Sequence, residues 1–211
     1  SSSTTIAQTV DARTNEDEFE KEEEEEETHH LKPLYANHIP TTGFQKGLLF
    51  VGSAFVALNN PMRADMIAVN GEVAGRSALE RMRDKMRRDP EGLRVLADRP
   101  RINTTAVDFE YLKSLPPNTL GNAYALYNDR YKITPDSRAT VQFVDDEELA
   151  YVMQRYREVH DLVHTVLDMP TNMVGEVAVK WVEGLQNGLP MCIGGAIFGP
   201  LRFKIKQVEQ Y

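Results

Sequence analysis

The run from Asp145 to Gly188 narrows the folds open to this chain more than any other stretch. Leu149, Val152, Met153, Tyr156, Val159, Val163, Val166 and Leu167 recur at three- and four-residue steps, the spacing of one buried helical stripe. Asp145, with Glu148 three residues on, suits an N-cap and its reciprocal partner. Pro170 ends the pattern, because the residue before a proline is pushed out of the helical region. One helix is therefore expected over Asp145–Met169. A second should begin at Thr171 or Asn172, either a good cap, and run to Asn187-Gly188. So short a connection forces the two into an antiparallel hairpin.

That hairpin carries His160, Asp161, His164 and Glu176, in the run HDLVHTVLDMPTNMVGE. His160 and His164 are four apart and stack on one helix face, with Asp161 beside His164. His164 sits about 7–8 Å before the turn and Glu176 roughly 6 Å beyond it, at 1.5 Å per residue. The two are level across the hairpin. A single His-Asp pair on an apolar face is usually a core histidine with its hydrogen-bond partner. Four metal-binding residues level across a turn are harder to explain that way. Two imidazoles and carboxylates suit zinc or iron, and they leave room for water or substrate. Glu183, two turns beyond Glu176 on the same face, could replace one ligand or support one.

The charge of the chain is dominated by its front. Residues 1–30 carry nine net negative charges against −8 for the whole chain, so residues 31–211 are close to neutral. A block with six consecutive glutamates and few apolar residues is expected to be disordered over 1–30, and it lacks the arginines of an import sequence. Residues 31–211 suffice for one domain with a real core. The single cysteine, Cys192, excludes a disulfide framework, fits a reducing compartment and reads as a small buried hydrophobe. No apolar run reaches the length of a membrane span, and there is no phosphate loop or dinucleotide fingerprint.

Most of the domain reads as helix, so the expected fold class is all-α: a single compact helical domain with a metal-binding antiparallel hairpin near its C-terminus. Phe44 to Leu58 is apolar nearly all round, which places it in the core or against lipid. Met62 to Ala74 should bury Met66, Val69 and Val73 while satisfying Arg63, Asp65 and Glu72. Arg81, Arg83, Lys85, Arg87 and Arg88 make either a solvated helix face or a patch for an anionic headgroup. No aromatic residues interleave with them, so nucleic acid is not an expected partner. Residues 102–143 hold turn signals around short segments and say little. Gly195 and Gly199, four apart, permit close helix approach, for tight packing or for the wall of a lipid channel.

The run FVDDEELAYVMQRYREVHDLVHTVLDMPTNMVGEVAVKWVEGLQNGLPMCIGGAIFGP resembles the coenzyme Q biosynthesis protein four family. So do LYANHIPTTGFQKGLL, ALNNPMRADMIAVNGEVAG and MRDKMRRDPEGLRVLADRPRI, in the same order. The resemblance implies a mitochondrial protein, peripheral on the matrix side of the inner membrane. Its implied partners are other ubiquinone-biosynthesis enzymes in a multi-subunit complex, a polyprenylated aromatic substrate and the lipid surface. A homodimer stays open. It implies removal of the ring carboxylate from a prenylated 4-hydroxy-3-methoxybenzoate by a carbon–carbon lyase with zinc, or with iron or another divalent metal. His160, Asp161, His164 and Glu176 stand at the family's metal ligands, and Asp161 or Glu176 would pass the proton. The family's pattern extends beyond Tyr211, so the domain is expected to be shortened at its C-terminus. Two rivals remain. The His-Asp-x-x-His spacing also resembles a zinc peptidase helix with Asp161 as base, and a non-catalytic lipid-binding scaffold would need no chemistry at all.

Overall fold

In a computed structural model that describes residues 32–60 and 63–202, nine α-helices and no strand occur among the described residues. The acidic segment at 1–30 and the C-terminal residues 203–211 lie outside the described residues, so the expected disorder and shortening are not addressed by the fold. The helices are α1 (Gly43–Asn59), α2 (Ala64–Ala74), α3 (Arg76–Arg88), α4 (Pro90–Asp98), α5 (Phe109–Ser114), α6 (Leu120–Tyr131), α7 (Glu147–Leu167), α8 (Met173–Asn187) and α9 (Pro190–Phe198). Short 3₁₀ turns fall at Pro135–Ser137 and Gly199–Arg202.

The expected all-α domain is present, built around α7, which packs against α3, α4, α6 and α8. Leu149, Val152, Met153 and Tyr156 are buried as their spacing requires, among Leu79 of α3, Leu189 and Cys192. The stripe loosens toward its end. Val159 and Val163 are half-buried, lining an apolar cavity of about 300 Å³ with Met82 and Met86, and Val166 is exposed.

Three details depart from the sequence expectations for this helix. Its N-cap is Asp146, which accepts from the Leu149 N–H at 2.9 Å, rather than Asp145. Asp145 is drawn away by His38 and Lys46. The helix also stops at Leu167, three residues before the proline. Asp168 adopts a left-handed conformation (φ 50°), its N–H bonds the Thr165 carbonyl, and the Met169 N–H bonds the His164 carbonyl. This pair of bonds is a Schellman closure, in which aspartate tolerates the place glycine usually takes. The second helix begins with Asn172 as cap and ends on Gly188 at φ 69°, so the hairpin forms as expected.

The helix α1 is capped by Thr42 and Gln45 in a reciprocal capping box. Its core placement does not hold. Phe44, Leu48, Val51 and Phe55, spaced four, three and four apart, are 83%, 66%, 64% and 69% exposed. Only its other side, including Ser53, meets α2. No helix among the described residues is long and apolar enough to cross a membrane. On α2, Met66, Val69 and Val73 are half-buried rather than enclosed, and the fully buried residues are Gly71 and Glu72. Arg63 and Asp65 satisfy each other. Glu72 accepts from Arg157 at 2.6 Å and from the backbone N–H groups of Gln142 and Phe143.

The basic helix α3 is divided. Arg83 and Arg87 face the acidic start of α7, at Asp146 and Glu148, while Arg81 and Arg88 stay exposed. Asp89 closes α3 and caps α4, with Pro90 in the first turn where a missing N–H costs nothing. At the C-terminal end Gly195 and Gly199 pack closely, whereas Gly194 faces open space. A Cβ on Gly199 would lie 2.4 Å from Val177 Cγ2.

Candidate metal centre

His160 and His164 lie one turn apart on α7, both buried, with rings 4.7 Å apart and edge to face. Across the hairpin, Glu176 in the first turn of α8 presents one oxygen to each. Its Oε2 is 3.4 Å from His160 Nε2 and its Oε1 is 3.4 Å from His164 Nε2. The ligating atoms of these three residues all lie within 4.8 Å of one another. The Glu176 side chain is 39% exposed, so the group opens to solvent on that side.

The far nitrogen of each ring is tied down. His160 Nδ1 is 2.7 Å from Glu183 Oε1. Burial alone would raise the Glu183 carboxyl, but His160 and Lys180 outweigh it and hold it down at about 2, so that oxygen only accepts. His164 Nδ1 lies 3.1 Å from the Met169 carbonyl, which also only accepts. Both rings must therefore carry their proton on Nδ1 when neutral, leaving a lone pair on each Nε2. Tethering of this kind is how proteins orient imidazoles for a metal.

With both rings neutral, two lone pairs and a carboxylate face one another with no donor among them, and only a proton or a metal ion between them relieves that. Burial pulls the His160 pKa down, but Glu176 and Glu183 win and leave it raised. Burial likewise works to raise the Glu176 carboxyl, and the two imidazoles hold it far below the usual carboxylate range. His164 Nε2 is buried and has no hydrogen-bond partner. Two imidazole nitrogens and a carboxylate oxygen so placed could hold a divalent cation, and the donor set fits zinc or iron.

Asp161 is not drawn into this group. Its Oδ1 is bound by Arg138, from the segment after the Pro135–Ser137 turn, while its Oδ2 is buried without a partner. The structure therefore brings His160, His164 and Glu176 together but leaves Asp161, the fourth expected ligand, outside their group. Glu183 stands where the sequence allowed it, behind His160 rather than in front. Nothing in the sequence pointed to Arg138, which lies in a loop without periodicity 23 residues from its partner. Nor did it single out Tyr127, whose hydroxyl donates to the Met169 carbonyl at 2.9 Å, or Gly175. A Cβ on Gly175 would lie 1.9 Å from the Pro170 carbonyl oxygen, so the start of α8 seats on the turn only because that residue has no side chain.

Residues 35–211 match the model of the family described as coenzyme Q (ubiquinone) biosynthesis protein Coq4. A relative from Xenopus tropicalis, the mitochondrial ubiquinone biosynthesis protein COQ4 homolog, is 59% identical over 177 residues, 84% of this chain. The Homo sapiens homolog of the same name is 56% identical over 177 residues, again 84% of this chain and 67% of that protein. The chain spans 63% of the length of the Xenopus protein. The crystal structure of a chain from Nostoc punctiforme assigned to ubiquinone biosynthesis shares the fold at TM-score 0.56 and 20% identity, covering 81% of this chain and 78% of that one. On the span of the family match and the identity to these relatives, the chain belongs to the coenzyme Q (ubiquinone) biosynthesis protein Coq4 family.

Proposed function

We propose that this chain acts in mitochondrial ubiquinone biosynthesis, as a metal-dependent lyase removing the ring carboxylate from a prenylated 4-hydroxy-3-methoxybenzoate. The observation that carries the reading is the convergence of His160 Nε2, His164 Nε2 and Glu176, with both Nδ1 atoms tied behind them. Family membership supports the pathway, and a group able to hold a divalent metal is compatible with the step.

A divalent metal bound there would supply positive charge to hold the substrate carboxylate and to stabilise charge developing on the phenolic oxygen. The remaining work falls to side chains. Glu176 lies on the open side, where it would take the proton of the para hydroxyl. That shifts electron density to the ring carbon bearing the carboxylate. The proton that Glu176 received would pass to this carbon, and loss of carbon dioxide would then restore the aromatic ring as its phenolate. The Tyr127 hydroxyl is committed to Met169 and serves position rather than proton transfer. The oxidative form, which leaves a hydroxyl on that carbon, would need a redox-active metal such as iron and dioxygen as the oxidant.

The exposed apolar stripe of α1 supports a peripheral seat on the inner membrane, facing the matrix, in the company of other enzymes of the pathway. A lipid-binding scaffold would use the same stripe without needing a convergent metal group. The peptidase reading is weaker still, because Asp161, its required base, is taken by Arg138.

The test joins metal analysis to turnover. Purified protein is expected to hold about one zinc or iron per chain and to release labelled carbon dioxide from ring-carboxyl-labelled substrate, with both properties lost in His164→Ala. Full metal content and undiminished release in that variant would remove the reading. Restored ubiquinone synthesis by a metal-free His160→Ala, His164→Ala variant would favour the scaffold.

A further inference from the structure

Behind His160, on the side away from Glu176, a knot of polar side chains is sealed between α7, α8 and α9. Glu183 and Tyr156 are 2% and 5% exposed, Cys192 is fully buried and the Lys180 side chain is 16% exposed. Glu183 divides its two oxygens. Oε1 serves His160 Nδ1 at 2.7 Å, and Oε2 accepts from the Tyr156 hydroxyl at 2.9 Å and from Lys180 Nζ at 2.7 Å. Lys180 Nζ also donates to the Tyr156 oxygen at 3.0 Å, and Cys192 Sγ closes the knot 3.0 Å from that oxygen. Room for the lysine is built in, since a Cβ on Gly195 would lie 3.3 Å from Lys180 Cγ.

Burying an ammonium and a carboxylate is costly, and an apolar cluster of the same volume is often at least as stable. Stability alone does not account for the arrangement. Its geometry does something specific to one ligand. A carboxylate on Nδ1 raises the electron density of the whole ring and so strengthens Nε2 as a donor. Lys180 opposes this in two ways, by neutralising part of the Glu183 charge and by repelling any cation at Nε2. His164 has no counterpart to the knot, because its Nδ1 meets only a backbone carbonyl. The two imidazoles are therefore unequal.

We propose that Glu183, Tyr156 and Lys180 form a positioning unit that sets the strength with which His160 binds a divalent cation, Glu183 raising it and Lys180 lowering it. This rests on the metal-centre reading above.

Cobalt(II) titration of the full chain tests it, read by visible absorption and by competition with a chromophoric chelator. Glu183→Gln is expected to weaken binding about 10–100-fold and to shift the cobalt bands. Lys180→Met, at a partly exposed position that folding tolerates, is expected to tighten binding several-fold. Lys180→Arg, which keeps the charge, should stay near the parent value. A mere packing role predicts weakening in both Glu183→Gln and Lys180→Met, so tightening in the second is the decisive sign. Unchanged or weaker cobalt binding by folded Lys180→Met overturns the proposal. Should Glu183→Gln fail to fold, the Lys180→Met and Lys180→Arg pair decides by itself. A parent chain that takes up no cobalt defeats the metal-centre reading and this proposal with it, a result distinct from a parent that binds while the variants do not differ.

Discussion

The most apolar long helix, α1, lies on the surface, whereas α7, which carries two histidines, acids and an arginine, is the buried axis. Apolar content by itself did not decide which went inside. On α7 every charged group below about a tenth exposed has a partner. Arg157 has Glu72, Glu158 has Arg101 and the Ile102 N–H, and His160 has Glu183. Partners make burial affordable for such a helix. Among the described residues, Phe44, Leu48, Val51 and Phe55 of α1 meet no complementary surface, and the free energy of hiding them is left to whatever the helix touches.

The contrast can be broken most sharply at Arg157. Arg157→Met would strand the Glu72 carboxylate in the interior and should cost about 3–5 kcal/mol in urea unfolding. A loss under about 1 kcal/mol would show that this ion pair does not hold α2 and the 141–144 segment to α7. Next comes Gly175→Ala, where the added methyl meets the Pro170 carbonyl; about 1–3 kcal/mol of stability and most metal affinity should go together. Metal affinity kept at the parent value would mean that Glu176 has slack.

Serine at Phe44, Leu48, Val51 and Phe55 should change stability by no more than about 0.5 kcal/mol per site, yet abolish binding to cardiolipin-containing vesicles. Undiminished vesicle binding would leave the stripe without a role at membranes. The smallest effect concerns acid. Glu183 titrates at about 2 in the fold against an ordinary 4.5, so its contribution is complete above 4.5 and drains away as pH falls toward 2. Stability of the metal-free protein should fall across that window in the parent and fall less in Glu183→Gln; identical profiles would show that other acids govern acid unfolding.

Much of the site was legible because it is local. A helix of steady three- and four-residue steps, a short connection and the Asn172 cap mark out the hairpin, and the hairpin brings His160, His164 and Glu176 level. What stayed hidden depends on distant or subtle competition. Asp145 and Asp146 are both good caps, and only the approach of His38 and Lys46 decides between them. Arg138 reaches Asp161 from a loop with no periodicity to read. Helices α5 and α6 escaped notice because six and twelve residues give too few turns to separate a stripe from chance. Apolarity all round α1 could not distinguish core from surface, since that choice belongs to the neighbours.

The Met169 carbonyl accepts from both His164 Nδ1 and the Tyr127 hydroxyl, and the Met169 N–H closes α7 on the His164 carbonyl. Six residues on, Gly175 sits directly over the Pro170 carbonyl. The stretch between His164 and Glu176 is thus measured at both ends, and its length is as much a property of the site as the identity of any ligand. One residue more or fewer would have to tear the turn away from His164 or lift α8 off Pro170. A loop of this kind cannot be traded for another of different size, even one that joins the two helices equally well.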